Sequence, residues 1–329
     1  MVSLGISFSG EDKRSLLSIG CDLHQYAAAQ NVEEALREAE NADAVCVLNV
    51  WIRYLASDFM SRFRRCRLLV IGGAGTDMLK MEDARLRGIT VANCPGYAYP
   101  SVAEHAFALI LALARRWPPP PERLSSPGLA AYEEAVRRWQ GVELRGKTLG
   151  IAGYGRIGQH LARIARGFGM KIIVFTRRPP WLPARHLWYR WYRHIRFVNF
   201  NSMLSQSDVI VSTLPNTPGT RGIFNADAFS RMRCGCLFVN VGRAQVIDEE
   251  ALRSALEQGR IAGAGLDVAS PLGARSLRPM ENVLISPHMG WNTVEAKSRI
   301  GGECAENIVR FFSGRPINLI PDVSRMPPQ

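Results

Sequence analysis

The chain has 329 residues, 47% of them apolar, and a formal net charge of +12. One hydrophobic core rarely organises so long a chain, so two domains are expected, and the apolar content is ample to fill both. The longest apolar run, Ala106 to Ala114, falls far short of the roughly 20 residues that cross a bilayer, and the first twenty residues lack the basic, apolar, small-residue succession of a signal peptide, so no membrane span and a cytoplasmic location are expected.

The seven cysteines are odd in number and scattered; Cys234 and Cys236 are too close for a C-x-x-C pair, and no His-rich tract lies nearby. They read as reduced, mostly buried thiols, and no metal site is expected. A basic surface suits nucleic acid, an anionic membrane or small anionic ligands, or it serves solubility alone.

The first forty residues are weakly patterned. Short apolar strands follow in "NADAVCVLNV", "RLLVIGGAG" and "GITVANCPG", with the helical spacing of "TDMLKMEDARLRG" between the last two and Gly88 as a helix C-cap. This β-α-β alternation marks a parallel sheet. Next, "SVAEHAFALILALARR" offers Ser101 and Glu104 as a capping box before a helix apolar all round, which must be buried between domains or subunits. Four consecutive prolines in "WPPPPERLSSPG" then impose an exposed connector.

The second β-α-β series begins with "TLGIAGYGRIGQHLARIARGFGMKIIVFTRR", in which a strand runs into Gly153, Gly155 and Gly158 and then an amphipathic helix. The first glycine allows a tight turn, the second lets a pyrophosphate approach the backbone, and the third lets helix and strand pack closely. The loop Gly153, Tyr154, Gly155, Arg156, Ile157 and Gly158 therefore predicts a dinucleotide site, with the helix N-terminus offering N–H groups to the phosphates. Packing alone is the plainer alternative. After the strand "KIIVF", where an acid would hold the 2′-hydroxyl of NAD, stand Thr176, Arg177 and Arg178. Two guanidiniums suit a 2′-phosphate, so NADP(H) is the preferred cofactor and NAD(H) a possible one; the alternative is a pair of solvated surface arginines.

With these blocks in order, the sequence resembles the D-isomer-specific 2-hydroxyacid dehydrogenases, which include glycerate dehydrogenases, glyoxylate and hydroxypyruvate reductases and phosphoglycerate dehydrogenase. The resemblance runs from Leu68 to Pro321 through "GAGTD", "GITVANCPG", "SVAEHAFALILALAR", "GIAGYGRIG", "SDVIVSTLPNTPGTRGIFN", "FVNVGRAQVIDEEAL", "GRIAGAGLDV" and "NVLISPHMGW". It implies an α/β protein of two Rossmann-like domains with parallel sheets. A cofactor domain, 99–290, is inserted into a discontinuous catalytic domain made of 1–98 and 291–329. The resemblance also implies a homodimer, and it extends the cofactor contacts to Leu214, Pro215, Val241, Asp267 and Gly290.

Reducing a 2-oxo acid needs a hydride donor, a cation on the carboxylate and carbonyl, and a proton donor. Arg243 follows the strand "CLFVN" and should stand at its C-terminal end, the ligand edge of a parallel sheet; by resemblance it is the substrate arginine. Ala244 replaces the glycine the family commonly has next. His288 ends the strand "NVLI" behind Pro287 and is by resemblance the proton donor. Backbone N–H groups around Ala74 and Gly75 match the loop that binds the substrate carboxylate.

One departure concerns "GLDVASPLGARSL". By resemblance Asp267 faces the nicotinamide side, and a glutamate that orients the histidine should follow it. Here Val268, Ala269, Ser270, Pro271 and Leu272 supply no carboxylate, and the loop is shorter than the family's. His288 should then be a weaker, less well aimed acid. Glu281 is separated from it by a strand, and Glu104 is a substitute if its turn borders the cleft. Tyr97, Tyr99 and Trp291 could reach a ligand or pack at the hinge.

The segment 181–196 interleaves tryptophan and tyrosine with arginine and histidine, as single-stranded nucleic-acid platforms do. Its place beside the adenine pocket makes nucleic acid, acidic lipid or an anionic protein the lesser readings. The sequence thus predicts an NADP(H)-preferring oxidoreductase of a small anionic 2-oxo or 2-hydroxy acid, with Arg243 as clamp and His288 as acid or base. A nucleotide-sensing protein with little catalysis is the alternative. A third reading is an enzyme whose phosphate- or phosphonate-bearing substrate supplies its own proton relay.

Overall fold

A computed structural model of the protein describes residues 1–26, 31–117, 128–177 and 194–320. The chain folds as two compact units, Met1–Ala98 with Asn292–Gln329, and Tyr99–Trp291.

In the first unit the elements run β1 (Val2–Leu4), α1 (Gly10–Leu17), β2 (His24–Tyr26), α2 (Val32–Ala39), β3 (Ala44–Leu48), β4 (Leu68–Gly72), α3 (Met81–Leu86) and β5 (Thr90–Asn93). The five strands are all parallel in the order β2-β1-β3-β4-β5. β3 and β4 are apolar and almost wholly buried, as central strands of a parallel sheet must be. The "weakly patterned" start of the sequence holds β1, α1, β2 and α2. Its strands are three residues each, and β2, "HQY", is a mostly exposed edge, so neither gives a periodic signal. α1 is nonetheless well marked, with Ser9 and Asp12 closing a capping box. Helix α3 is shorter than the expected segment and ends before Gly88, which has φ +67° and bonds back to Arg85.

In the second unit the order is α4 (Tyr99–Arg115), α5 (Leu129–Arg138), β6 (Thr148–Ala152), α6 (Arg156–Gly167), β7 (Lys171–Phe175), β8 (Ile195–Phe197), α7 (Phe200–Gln206), β9 (Val209–Ser212), α8 (Ala226–Arg231), β10 (Cys236–Asn240), α9 (Glu249–Glu257), β11 (Ile261–Leu266), α10 (Pro271–Leu277) and β12 (Val283–Ile285). Seven parallel strands lie in the order β12-β11-β10-β9-β6-β7-β8. The chain moves outward from β6 through β7 and β8, then returns to β9 on the other side. The edge beyond β6 and β9 is therefore a topological switch point, where open parallel sheets bind ligands. Under one face Phe238 packs edge-on against Phe224 and Phe229, with centroids 5.0 and 5.5 Å apart.

The last helix, α11 (Val294–Phe312), returns to the first unit, where Gly301 touches the Ser7 carbonyl so closely that a Cβ would collide with it. The result is the expected α/β architecture of two parallel-sheet units, one built from both chain ends. The capping box expected at Ser101 and Glu104 does not start α4: Tyr99 and Pro100 are already helical, and Ser101 is buried within the first turn. Proline is tolerated there because first-turn N–H groups have no helical partner. Within the single chain, Glu104 and Ala108 of α4 are exposed. All seven cysteines are free thiols; five are buried, and Cys234 is exposed. Among the described residues no group of side chains could hold a metal ion, and no helix is long and apolar enough to cross a membrane. The four prolines and most of the Trp/Arg-rich segment lie outside the described residues.

Candidate active site

The site grows from the C-terminal edge of the seven-stranded sheet. β6 ends at Ala152, and the chain turns at Gly153 with φ +98°, a conformation open to glycine. A Cβ there would also lie 2.7 Å from Thr213 Oγ1. That hydroxyl is held by the Ala152 and Gly153 carbonyls at 3.2 and 3.1 Å, which ties the end of β9 to the loop. A Cβ on Gly158 would strike the Gly153 carbonyl, so the third glycine is what lets α6 lie against the turn. Gly155 is different: a Cβ on it would meet nothing within 4 Å. Its backbone borders open space at the start of α6, where it caps the helix with no side chain. Tight turn, open approach and close packing are thus each assigned to one glycine. First-turn amides facing open space are what a pyrophosphate needs, so the residues fit a dinucleotide.

Beside β6, β7 ends at Phe175 and delivers half-buried Thr176 and exposed Arg177 to the same edge. Neither is acidic. Arg178 lies outside the described residues. On the other side, Leu214 is buried and Pro215 exposed after β9, and buried Val241 follows β10. A Cβ on Gly242 would stand 2.5 Å from the Leu214 carbonyl, so these two loops touch.

Arg243 leaves β10 through a turn fixed by its own backbone and by Asn240. Asn240 accepts from the Gly242 amide at 3.1 Å and donates to the Arg243 carbonyl at 2.8 Å. The half-buried guanidinium donates to the Gly242 carbonyl at 2.9 Å. Ala244 opens a short 3₁₀ turn, Ala244–Val246, which its methyl does not prevent.

Asp267 follows β11 and is 2% exposed. Its carboxylate accepts from Ser286 Oγ at 2.7 Å, from the Met289 amide at 2.9 Å and from the Gly290 amide at 3.0 Å. His105 Nε2, on α4, is 3.3 Å from the same carboxylate and 2.8 Å from Ser286 Oγ. Burial alone would raise the Asp267 pKa, but the donors from His105, Ser286, Met289 and Gly290 outweigh it and hold the group below its usual value. An ionised carboxylate accepts only, so the single Ser286 hydroxyl proton is committed to Asp267. Ser286 can then offer His105 nothing but a lone pair, and His105 Nε2 must carry a hydrogen.

His288 stands between Ser286 and the two amides that Asp267 holds. It is half-buried with φ +54°, an uncommon conformation for a residue with a side chain. Its carbonyl accepts from Trp291 Nε1 at 3.0 Å. No carboxylate occurs from Val268 to Met280. Leu272, where the resemblance puts a glutamate, is 78% exposed. A carboxylate from α9 does reach this loop: Glu249 accepts from the Ser270 amide at 2.7 Å and from the Ser270 hydroxyl, and it fills the space beside Gly273. Glu281 is paired with Arg138 at 3.2 Å. Glu104 is exposed, and the α4 side chain that meets Asp267 is its neighbour His105.

Ala74 and Gly75 belong to the first unit, in the loop after β4. Asn93 Nδ2 donates to the Ala74 carbonyl at 2.8 Å, and Gly73 lies where a Cβ would press on Asn49. Tyr97 is buried and its carbonyl accepts from Arg299 Nε at 2.7 Å, while Tyr99 stacks edge-on against His160. The second unit thus brings Gly153 to Gly158, Thr176, Arg177, Leu214, Pro215, Val241, Arg243, Asp267, His288 and Gly290 to strand ends along one sheet edge. The reading of the sequence missed His105, Ser286 and Glu249. His105 stands next to the Glu104 that it singled out, but its link to Asp267 depends on how a helix lies on a strand.

A switch-point glycine loop, with an arginine after β10 and a histidine after β12 on the same sheet edge, is the arrangement of a dinucleotide-binding oxidoreductase unit. Residues 107–290 match the family described as D-isomer specific 2-hydroxyacid dehydrogenase, NAD binding domain. The hydroxypyruvate reductase of Thermotoga maritima is 35% identical over 263 residues, 78% of this chain and 81% of that protein. The D-3-phosphoglycerate dehydrogenase of a Synechocystis strain is 31% identical over 320 residues, 95% of this chain; the chain spans 56% of that relative's length. Among solved structures, an acyclic imino acid reductase in complex with NADPH and D-Arg superposes with a TM-score of 0.77 at 26% identity, covering 98% of this chain and 100% of that one. The chain belongs to the D-isomer-specific 2-hydroxyacid dehydrogenases, a family of NAD(P)-dependent oxidoreductases.

Proposed function

We propose that this chain reduces a small 2-oxo acid to its D-2-hydroxy acid, using NADP(H) in preference to NAD(H). The observation that carries the reading is the convergence of the glycine loop, Arg243 and His288 on one sheet edge. The α6 amides and the glycine loop would hold the pyrophosphate, with Leu214, Pro215 and Val241 lining the same edge and Thr176, Arg177 and Arg178 at the ribose. When bound, the nicotinamide supplies the hydride.

Arg243 would grip the substrate carboxylate and polarise the 2-oxo group, aided by the amides near Ala74 and Gly75. His288 would give the carbonyl oxygen its proton and recover it in the reverse direction. Asp267 and Gly290 would lie on the nicotinamide side of the cofactor site, and in this reading they also hold the His288 loop. The glutamate that the resemblance leads one to look for is replaced by that clamp. Domain 99–290 carries the cofactor; segments 1–98 and 291–329 form the substrate domain.

The protein would act as a homodimer. Support comes from α5, where Leu129, Tyr132 and Val136 lie three, four and seven positions apart on one face, all exposed, close in sequence to exposed Trp117. A nucleotide-sensing role without catalysis draws on the carboxylate-free loop from Val268 to Met280 alone. The test is to mix the protein with NADPH or NADH and a panel of 2-oxo acids, phosphorylated and phosphonylated ones included, and follow nicotinamide absorbance. Consumption of NADPH with one or more of them supports the enzyme; cofactor binding with no turnover on any supports the sensor.

A further inference from the structure

The unassigned side chain with the clearest geometry is His105. It lies on α4, which crosses β11 by a matched ladder. Leu113 faces Gly263, where a Cβ would come within 3.1 Å of it, and Leu109 faces Gly265, where a Cβ would come within 3.0 Å. One step further along both elements, His105 meets Asp267. The steps are commensurate: four helical residues advance about 6 Å and two strand residues about 6.6 Å. The small residues of "GAGLD" therefore let the helix down onto the strand, and the same packing sets the height of the imidazole over the carboxylate. The ring also backs the catalytic loop itself, since a Cβ on Gly290 would stand 3.2 Å from the His105 ring and 2.9 Å from Asp267 Oδ2.

We infer that His105 is a positioning residue for the proton-donor loop: through Nε2–H it holds Ser286 and Asp267, and Asp267 holds the amides that follow His288. This rests on the proposed reading of His288 as the proton donor. The loop needs an external brace because His288 has φ +54°, an uncommon conformation for a residue with a side chain. The fixed points are the two peptide N–H groups at Met289 and Gly290, both bound to one buried carboxylate. Removing the His105 donor leaves Ser286 Oγ and the buried Asp267 carboxylate short of one hydrogen bond, so the loop carrying His288 loosens.

The test compares His105→Leu, which keeps bulk without a donor, with His105→Gln, whose amide nitrogen reaches the place of Nε2. Amide hydrogen exchange should rise in peptides covering 286–291 for the leucine variant, remain near the original level for the glutamine variant, and leave the β6–α6 peptides unchanged in both. In turnover, His105→Leu should lower kcat by about tenfold to a hundredfold, the cost of a misplaced reacting group, with KM for NADPH within about threefold; His105→Gln should recover most of it. Unchanged exchange at 286–291 in the leucine variant overturns the inference, as does an active parent enzyme whose kcat survives His105→Leu. If the parent reduces no 2-oxo acid while exchange still follows the donor, the proposed reaction falls and the positioning role stands.

Discussion

Trp291 Nε1 donates to the His288 carbonyl at 3.0 Å, so the indole three residues on closes a small ring around a histidine whose backbone has positive φ. The tryptophan is accordingly a brace for the loop, whatever else its ring touches. Trp291→Phe keeps the aromatic bulk and removes the donor. It should cost about 0.5–1.5 kcal/mol of stability, the usual net value of one hydrogen bond, and lower kcat severalfold. Denaturant unfolding and steady-state kinetics on the same preparation check both.

Asp267 makes a pH-dependent contribution of definite sign. Its folded pKa is held below the ordinary value by the donors around it, so its stabilisation is full above the unfolded pKa, near about 3.9, and is lost as pH falls through the folded value. Asp267→Asn should therefore be less stable than the parent near neutral pH, by about 1.5–3 kcal/mol, the worth of hydrogen bonds to a charged group. The gap should narrow below about pH 3.9. Unfolding curves of the two proteins across that range decide it; a gap constant down to the lowest pH would refute the account of the carboxylate.

Cofactor choice rests on the end of β7. Arg177 is exposed and the sequence from 171 to 198 contains no acidic residue; a guanidinium–phosphate contact is charge-assisted and can be bidentate, which is the basis of the proposed preference. NADPH should bind about tenfold tighter than NADH, a difference of about 1.4 kcal/mol. Changing Arg177 and Arg178 to alanine together should abolish that difference without harming NADH binding. Equal affinities in the parent protein would count against the preference.

The exposed face of α5 gives an assembly prediction. Tyr132→Glu and Leu129→Glu each put a charge on that face, and both side chains are exposed, at 64% and 73%, so folding should survive. Light scattering should report a dimer for the parent and a monomer for the double variant. A monomeric parent would remove the basis for the dimer.

Much of this arrangement is legible in the sequence. The glycine loop, the strands "TLGIA", "KIIVF" and "CLFVN", and the places of Arg243 and His288 behind strands all follow from local pattern, because a buried parallel strand is a short apolar run and a switch-point loop needs glycine. The S-x-x-E at Ser101 misled because Tyr99 and Pro100 look like connector, yet proline fits a first helical turn. β1 and β2 were illegible because three residues carry no period. His105 could not be read at all. Its contact with Asp267 depends on α4 crossing β11 at one register, a tertiary fact with no trace in the spacing of either segment.

The central claim is that His288 delivers the proton at an edge where the glycine loop holds the cofactor independently. The most direct measurement is His288→Asn, with turnover and NADPH affinity determined side by side on the best 2-oxo acid of the panel. The account predicts a loss of turnover of at least about a hundredfold, in the range of general acid–base contributions, with the NADPH dissociation constant essentially unchanged. Normal turnover in His288→Asn would contradict it and assign the proton to another group.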